Sequence, residues 1–123
     1  MRVTALALSG AAVVTALLLA GSAGAVTHPK LVGNVGINDA FKITLKRNGV
    51  KVTTLKHGTY TLVVHDGSTF HDFRLRRPNG TTTKFTTEQF VGTKTFTITL
   101  TPGKHKVFCF PHQSEMFQRF TVT

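Results

Sequence analysis

Apolar and polar residues alternate along most of the chain after residue 40, which is the pattern of β-strands with one buried face. No segment in this region has a helical period. The stretch Thr83–Val91 is the least regular and is predicted as a loop with at most one short helical turn. On this pattern we predict strands at Phe41–Leu45, Tyr60–Val64, His71–Leu75, Phe96–Leu100, Lys104–Phe108 and Met116–Val122.

Turn-forming residues separate the predicted strands and indicate the fold class. Glycine, proline, asparagine and aspartate cluster between the apolar runs, where they permit tight turns. These clusters are Asn48–Gly49, His57–Gly58, Asp66–Ser68, Pro78–Gly80 and Pro102–Gly103. Short strands at this spacing predict an all-β sandwich or barrel. There is no internal repeat and no linker, so we expect a single domain.

The first 25 residues have a different pattern. Met1–Arg2 is a short basic start, Val3–Ala20 carries no charge, and Ala23–Ala25 offers an Ala-x-Ala cleavage site. This organisation is typical of a secretory signal peptide. We therefore predict a signal peptide at 1–25 and a domain at 26–123, with a secreted, periplasmic or cell-surface location. The alternative is an uncleaved membrane anchor, because the apolar run is almost long enough to span a bilayer.

Cysteine usage becomes informative once export is expected. The chain has 123 residues and one cysteine, so no disulfide can form within it. Exported proteins meet an oxidising compartment, where small domains usually pair their cysteines. Cys109 is therefore a buried inert thiol, an intermolecular disulfide partner, a nucleophile or a metal ligand. After cleavage, Cys109 and Met116 would hold the remaining sulfur atoms of the chain.

Strand parity predicts that three unusual side chains point into the core. Side chains on a strand repeat their direction every second residue. His71 therefore shares a face with Phe73, and Cys109 shares a face with Val107. Met116 has the parity of two further apolar positions, Phe120 and Val122. We expect all three to lie at strand ends, directed inward.

A second histidine completes a recognisable set of donor atoms. His112 follows Cys109 by three residues, and Met116 follows His112 by four. Two imidazoles, one thiolate and a weak thioether are the ligands of blue-copper electron-transfer sites. The thiolate binds copper strongly, the neutral imidazoles suit both oxidation states, and the distant thioether adds little bonding. The spacing thus predicts one copper site made by His71, Cys109, His112 and Met116.

The same residues resemble the cupredoxin family, especially its small plastocyanin-like and amicyanin-like domains. The matching features are Phe70–Phe73 around the first histidine and, 38 residues later, the Cys-x-Pro-His-x-x-x-Met loop at 109–116. The turn Asp66–Ser68 and the strand Gly103–Phe108 also resemble that family. The resemblance implies a Greek-key β-sandwich and the four copper ligands His71, Cys109, His112 and Met116.

Two departures from the family pattern affect the expected properties of the site. Asp72 stands where asparagine is frequent, and Phe110 is bulkier than the usual residue after the cysteine. An acidic neighbour can change the hydrogen bonds that tune a metal. These departures bear on reduction potential and spectral type more than on copper binding.

Charge gives a weaker indication of partners. The chain has 15 Lys and Arg against 5 Asp and Glu, a net charge of +10. Arg74, Arg76 and Arg77 form the close cluster, and we expect Arg74 and Arg76 to share a solvated strand face. The charge serves solubility, or it favours docking to an acidic redox partner or an anionic cell-surface polymer. Nucleic acid is excluded as a partner of an exported chain without a recognition module. We expect a monomer that is not inserted in a membrane after cleavage.

Three functions from different classes are compatible with these residues. The first is a carrier of single electrons between redox partners, and the second is a copper-binding or delivery protein without redox turnover. The third is a thiol enzyme with Cys109 as nucleophile and a nearby histidine as base. An enzyme of that class would have no use for His71 or Met116, so we expect a protein that is not an enzyme.

Overall fold

The structure is a computed structural model that describes residues 10–13, 15 and 24–123. The predicted signal peptide, 1–25, lies for the most part outside the described residues. Within the described residues, no helix has the length and apolar character needed to cross a membrane.

Strands dominate the described part of the chain, and two short 3-10 helices interrupt them. The helices are Ile37–Asp39 and Phe110–His112. The strands are β1 (Lys30–Val35), β2 (Ile43–Arg47), β3 (Val50–Lys51), β4 (Thr54–Leu55), β5 (Gly58–Asp66), β6 (Arg74–Arg76), β7 (Thr82–Lys84), β8 (Gly92–Leu100), β9 (Gly103–Phe108) and β10 (Phe117–Val122).

The strands form two five-stranded mixed sheets. The first sheet has the order β3-β2-β1-β5-β8, and the second has the order β4-β10-β9-β6-β7. Two pairs, β1 with β5 and β4 with β10, are parallel, and the other pairs are antiparallel. The chain passes from the first sheet to the second for β4 and returns for β5. It crosses again for β6 and β7, returns for β8, and ends in the second sheet with β9 and β10. The predicted all-β sandwich is confirmed.

The core lies between the sheets and is made by the alternate apolar positions of the strands. Leu62 and Val64 of β5 face Val107 of β9 and Phe120 of β10 within one buried cluster. Each such side chain contributes about 1.5–3 kcal/mol when it is fully removed from water. Strand alternation in the sequence therefore predicts which face of each sheet is buried.

Gln118 is a polar residue inside this core, and it joins the two sheets. Its side-chain oxygen accepts the N–H of Leu45 at 2.9 Å, and its side-chain nitrogen donates to the carbonyls of Leu45 and Val52, each at 2.9 Å. Because all these groups are buried, each hydrogen bond avoids the cost of an unpaired polar atom. A strand of the second sheet is thus fastened to β2 of the first.

Three sequence predictions differ from the structure. The predicted strand His71–Leu75 is reduced to Arg74–Arg76, because His71 and the equally buried Asp72 belong to the preceding loop. Phe41 does not share the buried face of Ile43; it is 60% exposed and precedes β2. The short helical turn considered for Thr83–Val91 is replaced by β7 and a hydrogen-bonded turn ending at Phe90.

Strand β1 was not predicted from the sequence. Gly33 interrupts its apolar pattern, and the structure gives a packing reason for that glycine. A Cβ atom at Gly33 would lie 2.5 Å from the ring of Phe73. The buried ring therefore occupies the space of a missing side chain, and it holds the start of β6 against the centre of the first sheet.

One end of the sandwich gathers the loops that carry the predicted ligands. Val35 of β1 pairs with Asp66 at the end of β5, and Phe108 of β9 pairs with Phe117 and Arg74. The loops 36–42, 67–73 and 109–116 all leave the sheets from this end.

Candidate metal centre

Three of the four predicted ligands come together at this end of the sandwich. The Nδ1 atoms of His71 and His112 are 3.1 Å apart, and they lie 3.7 and 3.8 Å from the Sγ atom of Cys109. His71 and Cys109 are buried, and His112 is half-buried. Residues from the β5–β6 loop and the β9–β10 loop therefore direct three donor atoms at one point.

The triangle of donor atoms has the size that a transition metal requires. Sides of 3.1, 3.7 and 3.8 Å define a circumscribed circle with a radius of about 2.1 Å, close to the 2.0–2.3 Å of metal bonds to imidazole nitrogen and thiolate sulfur. Two ring nitrogens 3.1 Å apart must share either a proton or a cation. The donor set therefore fits copper in chemistry and in dimensions.

The β9–β10 loop is closed by backbone hydrogen bonds. The N–H of Cys109 donates to the carbonyl of Met116 at 3.0 Å, and the N–H of Met116 donates to the carbonyl of His112 at 2.8 Å. Pro111 fits the first turn of the short 3-10 helix, where its missing N–H is not needed. These bonds fix the positions of Cys109 and His112 within the loop.

Met116 lies at the end of the same loop and is buried in the core next to Cys109. Its backbone pairing with Cys109 places both residues at the base of the loop, and β10 begins at the next residue. Its predicted role as a weak axial ligand stays a prediction.

Burial sets the charge states of the donors. Burial raises the pKa of the Cys109 thiol, and hydrogen bonds from the backbone N–H groups of Asp72 and His112 oppose that rise. Burial also lowers the pKa of His71, with a further decrease from the neighbouring His112. The neutral imidazole that binds metals is therefore the favoured form of His71.

Asp72 connects the two loops, and its role is larger than the sequence indicated. Its N–H donates to Cys109 Sγ at 3.4 Å, and one of its carboxylate oxygens accepts the N–H of Phe110 at 2.7 Å. The other oxygen accepts Nε–H of Arg74 at 2.7 Å, although the Asp72 side chain is fully buried. Arg74 is thus engaged in an ion pair, which corrects the expectation that it forms a solvated stripe with Arg76.

The β5–β6 loop holds His71 through a compact polar turn. Asp66 accepts the N–H of Ser68 at 3.2 Å, and the Ser68 hydroxyl accepts the N–H of Phe70 at 3.1 Å. Gly36 has a positive φ of 61°, and a Cβ atom there would lie 2.7 Å from the His71 ring. The first histidine is therefore enclosed by a turn on one side and by the 36–42 loop on the other.

Phe41 covers the opening of the site, a position that its sequence pattern did not reveal. Its ring packs edge-on against both imidazoles, with centroid distances of 4.9 Å to His71 and 4.7 Å to His112. Phe110 is also 51% exposed at this end. Apolar rings beside the two histidines limit the access of water to the site. Phe41 reaches this position only because the 36–42 loop folds over that end of the sandwich.

Solved structures of rusticyanin are similar to this chain in three dimensions. One, described as a copper protein, has a TM-score of 0.56 and 17% sequence identity, and the match covers 76% of each chain. A methionine-to-glutamine variant of rusticyanin gives a TM-score of 0.55 with 16% identity over the same 76% of each chain. Rusticyanin from Thiobacillus ferrooxidans gives 0.50 with 17% identity and the same coverage.

Sequence comparison adds no closer relative, because no protein-family model and no curated protein matches the chain. At the identities given above, structural similarity establishes the fold and not the activity. The two-sheet architecture agrees with that structural similarity, and so does the resemblance inferred from the residues. This chain therefore has the cupredoxin fold.

Proposed function

We propose that the chain is an exported carrier of single electrons that binds one copper ion through His71, Cys109 and His112, with Met116 as a weak fourth ligand. The observation that carries the proposal is the donor triangle, whose dimensions and chemistry fit copper without rearrangement. The domain would comprise residues 26–123 after removal of the signal peptide.

The residues of the chain have distinct parts in this function. Cys109 supplies the thiolate, and His71 and His112 supply neutral imidazoles on separate loops. The backbone bonds of the 109–116 loop orient Cys109 and His112, while Phe41 limits access of water to both rings. Copper, when bound, changes between Cu(I) and Cu(II) and thereby accepts or releases one electron.

A preformed site favours electron transfer over copper delivery. A donor set held by the sheets and by backbone hydrogen bonds restricts rearrangement between oxidation states. A delivery protein must instead release its ion, which requires an accessible site. The burial of His71 and Cys109 therefore supports the carrier function.

The test is a Cu(II) titration of the protein with an absorption spectrum. We expect one copper per chain and an intense thiolate-to-copper charge-transfer band, which Cys109→Ser abolishes. His105→Gln, a change at a buried histidine outside the donor triangle, is the control and should keep the band. A colourless adduct whose affinity is unaffected by Cys109→Ser would refute the proposal.

A further inference from the structure

A row of three cations crosses the outer face of the second sheet. Arg76 of β6 is paired in register with Lys106 of β9, and Lys106 is paired with Arg119 of β10. Residues opposite each other on adjacent strands have Cβ atoms about 4.5–5.5 Å apart, and like charges in such positions are destabilising. We call Arg76, Lys106 and Arg119 the basic row.

The basic row differs from the neighbouring cations in having no counterions. Arg74 and Lys84, two residues closer to the metal centre along the strands, form ion pairs with Asp72 and Glu88. Among the described residues, no carboxylate lies within 4.0 Å of a cationic group of the row. The sequence segments 74–84, 103–108 and 117–123 contain no Asp or Glu at all.

The row borders a cavity that is also basic. Its volume is about 420 Å³, and its lining adds Arg77 and Lys104 to the three residues of the row. The pKa of Lys106 is lowered, first by burial and then by the charges of Arg76 and Arg119. Folding therefore concentrates positive charge on one face although like-charge repulsion opposes it.

Aromatic residues connect this face to the metal centre. The guanidinium of Arg119 lies 4.6 Å from the ring centre of Phe117, which is 37% exposed. Phe117 is paired in register with Phe108, the residue immediately before Cys109. Cations beside exposed aromatic rings are typical of protein interfaces, in which arginine and aromatic side chains are enriched.

We propose that the basic row, with Arg77 and Lys104, docks an acidic face of a partner protein on the strands that lead to the metal centre. Charge complementarity identifies the partner as one that presents several carboxylates across a distance similar to that of the row. This inference rests on the proposed electron-carrier function, since docking there brings the partner next to the Cys109 strand.

The test measures binding of fluorescently labelled poly-L-glutamate to the full chain at low salt. The row variant carries Arg76→Gln, Lys106→Gln and Arg119→Gln. The matched control carries Lys42→Gln, Lys51→Gln and Lys94→Gln, three exposed charges associated with the other sheet. We expect the row variant to lose at least about tenfold in affinity and the control to lose far less, because local charge complementarity decides docking more than net charge does.

Three further measurements separate the alternatives. Arg76→Lys with Arg119→Lys should retain most of the affinity, because it keeps the charges of the row. Equal losses in the row and control variants would overturn the proposal in favour of net charge alone. Full displacement of the peptide by inorganic phosphate would assign the cavity to a small anion. If dextran sulfate binding depended on the row and peptide binding did not, the surface would be assigned to an anionic polysaccharide. Either result would overturn docking of an acidic protein.

Binding is measured through the label and does not depend on copper. A colourless Cu(II) adduct together with row-dependent peptide binding would therefore reject the electron-carrier function and leave the docking surface supported. A normal charge-transfer band together with equal losses of peptide affinity in the row and control variants would support the electron-carrier function and reject the docking surface.

Discussion

At the scale of single residues, Asp72 is the most consequential departure from the family pattern. It is a fully buried carboxylate that contacts Arg74, accepts the N–H of Phe110 and donates its own N–H to Cys109. Asparagine could keep both backbone contacts but would remove the negative charge. Asp72 therefore makes the backbone hydrogen bonds that asparagine could make at this position, and it adds a negative charge.

Asp72→Asn should raise the reduction potential of the copper-loaded protein. A nearby negative charge stabilises Cu(II) more than Cu(I), so its removal favours the reduced form. We expect an increase on the order of 59 mV, which corresponds to a tenfold change for a one-electron couple. Cyclic voltammetry provides the measurement. Glu88→Gln removes a charge from the same ion-pair network without contacting Cys109, and an equal shift in that variant would contradict a specific effect of Asp72.

Met116 and His112 should respond differently to substitution if their proposed roles are right. Met116→Leu should keep copper and colour and raise the potential, because loss of a weak donor destabilises Cu(II) more than Cu(I). His112→Gly should open a position that added imidazole fills, restoring the absorption band. Loss of the band in Met116→Leu, with no change in His112→Gly, would show that the roles within the loop are wrongly assigned.

His105 should make the stability depend on pH below neutrality. It is buried against Phe120, its Nδ1 lies 3.1 Å from the carbonyl of Gly103, and its Nε2 has no partner within the described residues. Burial lowers its pKa from the usual 6.5. The unfolded chain therefore binds the proton more readily as the pH falls below about 6.5, and the folded state loses stability in that range.

The measurement is the free energy of unfolding of the copper-loaded protein between pH 5 and 7. His105→Leu should flatten the pH dependence. An unchanged slope in His105→Leu would assign the titration to another group.

At the scale of elements, Gln118 holds β10 to β2 and so supports the sheet from which the 109–116 loop emerges. Gln118→Leu should lower the free energy of unfolding by about 2 kcal/mol or more, because it leaves the N–H of Leu45 and the carbonyl of Val52 unpaired, each at a cost of about 1–3 kcal/mol. The carbonyl of Leu45 keeps the N–H of Val52 as its donor. Chemical denaturation measures the change. Gln113→Leu, at an exposed position of the 109–116 loop, is the control and should lower the free energy of unfolding much less. Similar decreases in the two variants would show that the buried hydrogen bonds are not the cause.

At the scale of the whole molecule, the excess of positive charge should make the protein more stable as salt is added. The chain has a net charge of +10, and salt screens exposed charges over about 8–10 Å near physiological ionic strength. The melting temperature should rise with sodium chloride, and it should rise least in the triple variant of the basic row. An equal rise in the row variant and its matched control would mean that repulsion is spread evenly over the surface.

The fold class followed from the sequence alone, and the sequence also predicts the donor residues. Apolar alternation and turn residues predict β-strands because side-chain direction has a period of two, and that relation is local. The spacing of Cys109, His112 and Met116 is also local, since one short loop contains all three. His71 could be added because the expected strand alternation directs it toward the core. Its neighbours, Phe70–Phe73, also resemble those of a known family.

Which residues surround those candidate donors depends on tertiary contacts. The predicted strand does not extend to His71 and Asp72, because both residues lie in a loop that buries their side chains. Phe41 and Gly36 belong to a loop that approaches the site through the pairing of β1 with β5, a long-range contact without a local signal. The basic row likewise appears only when register aligns Arg76, Lys106 and Arg119, since residues far apart in sequence become neighbours through the hydrogen bonds of the sheet.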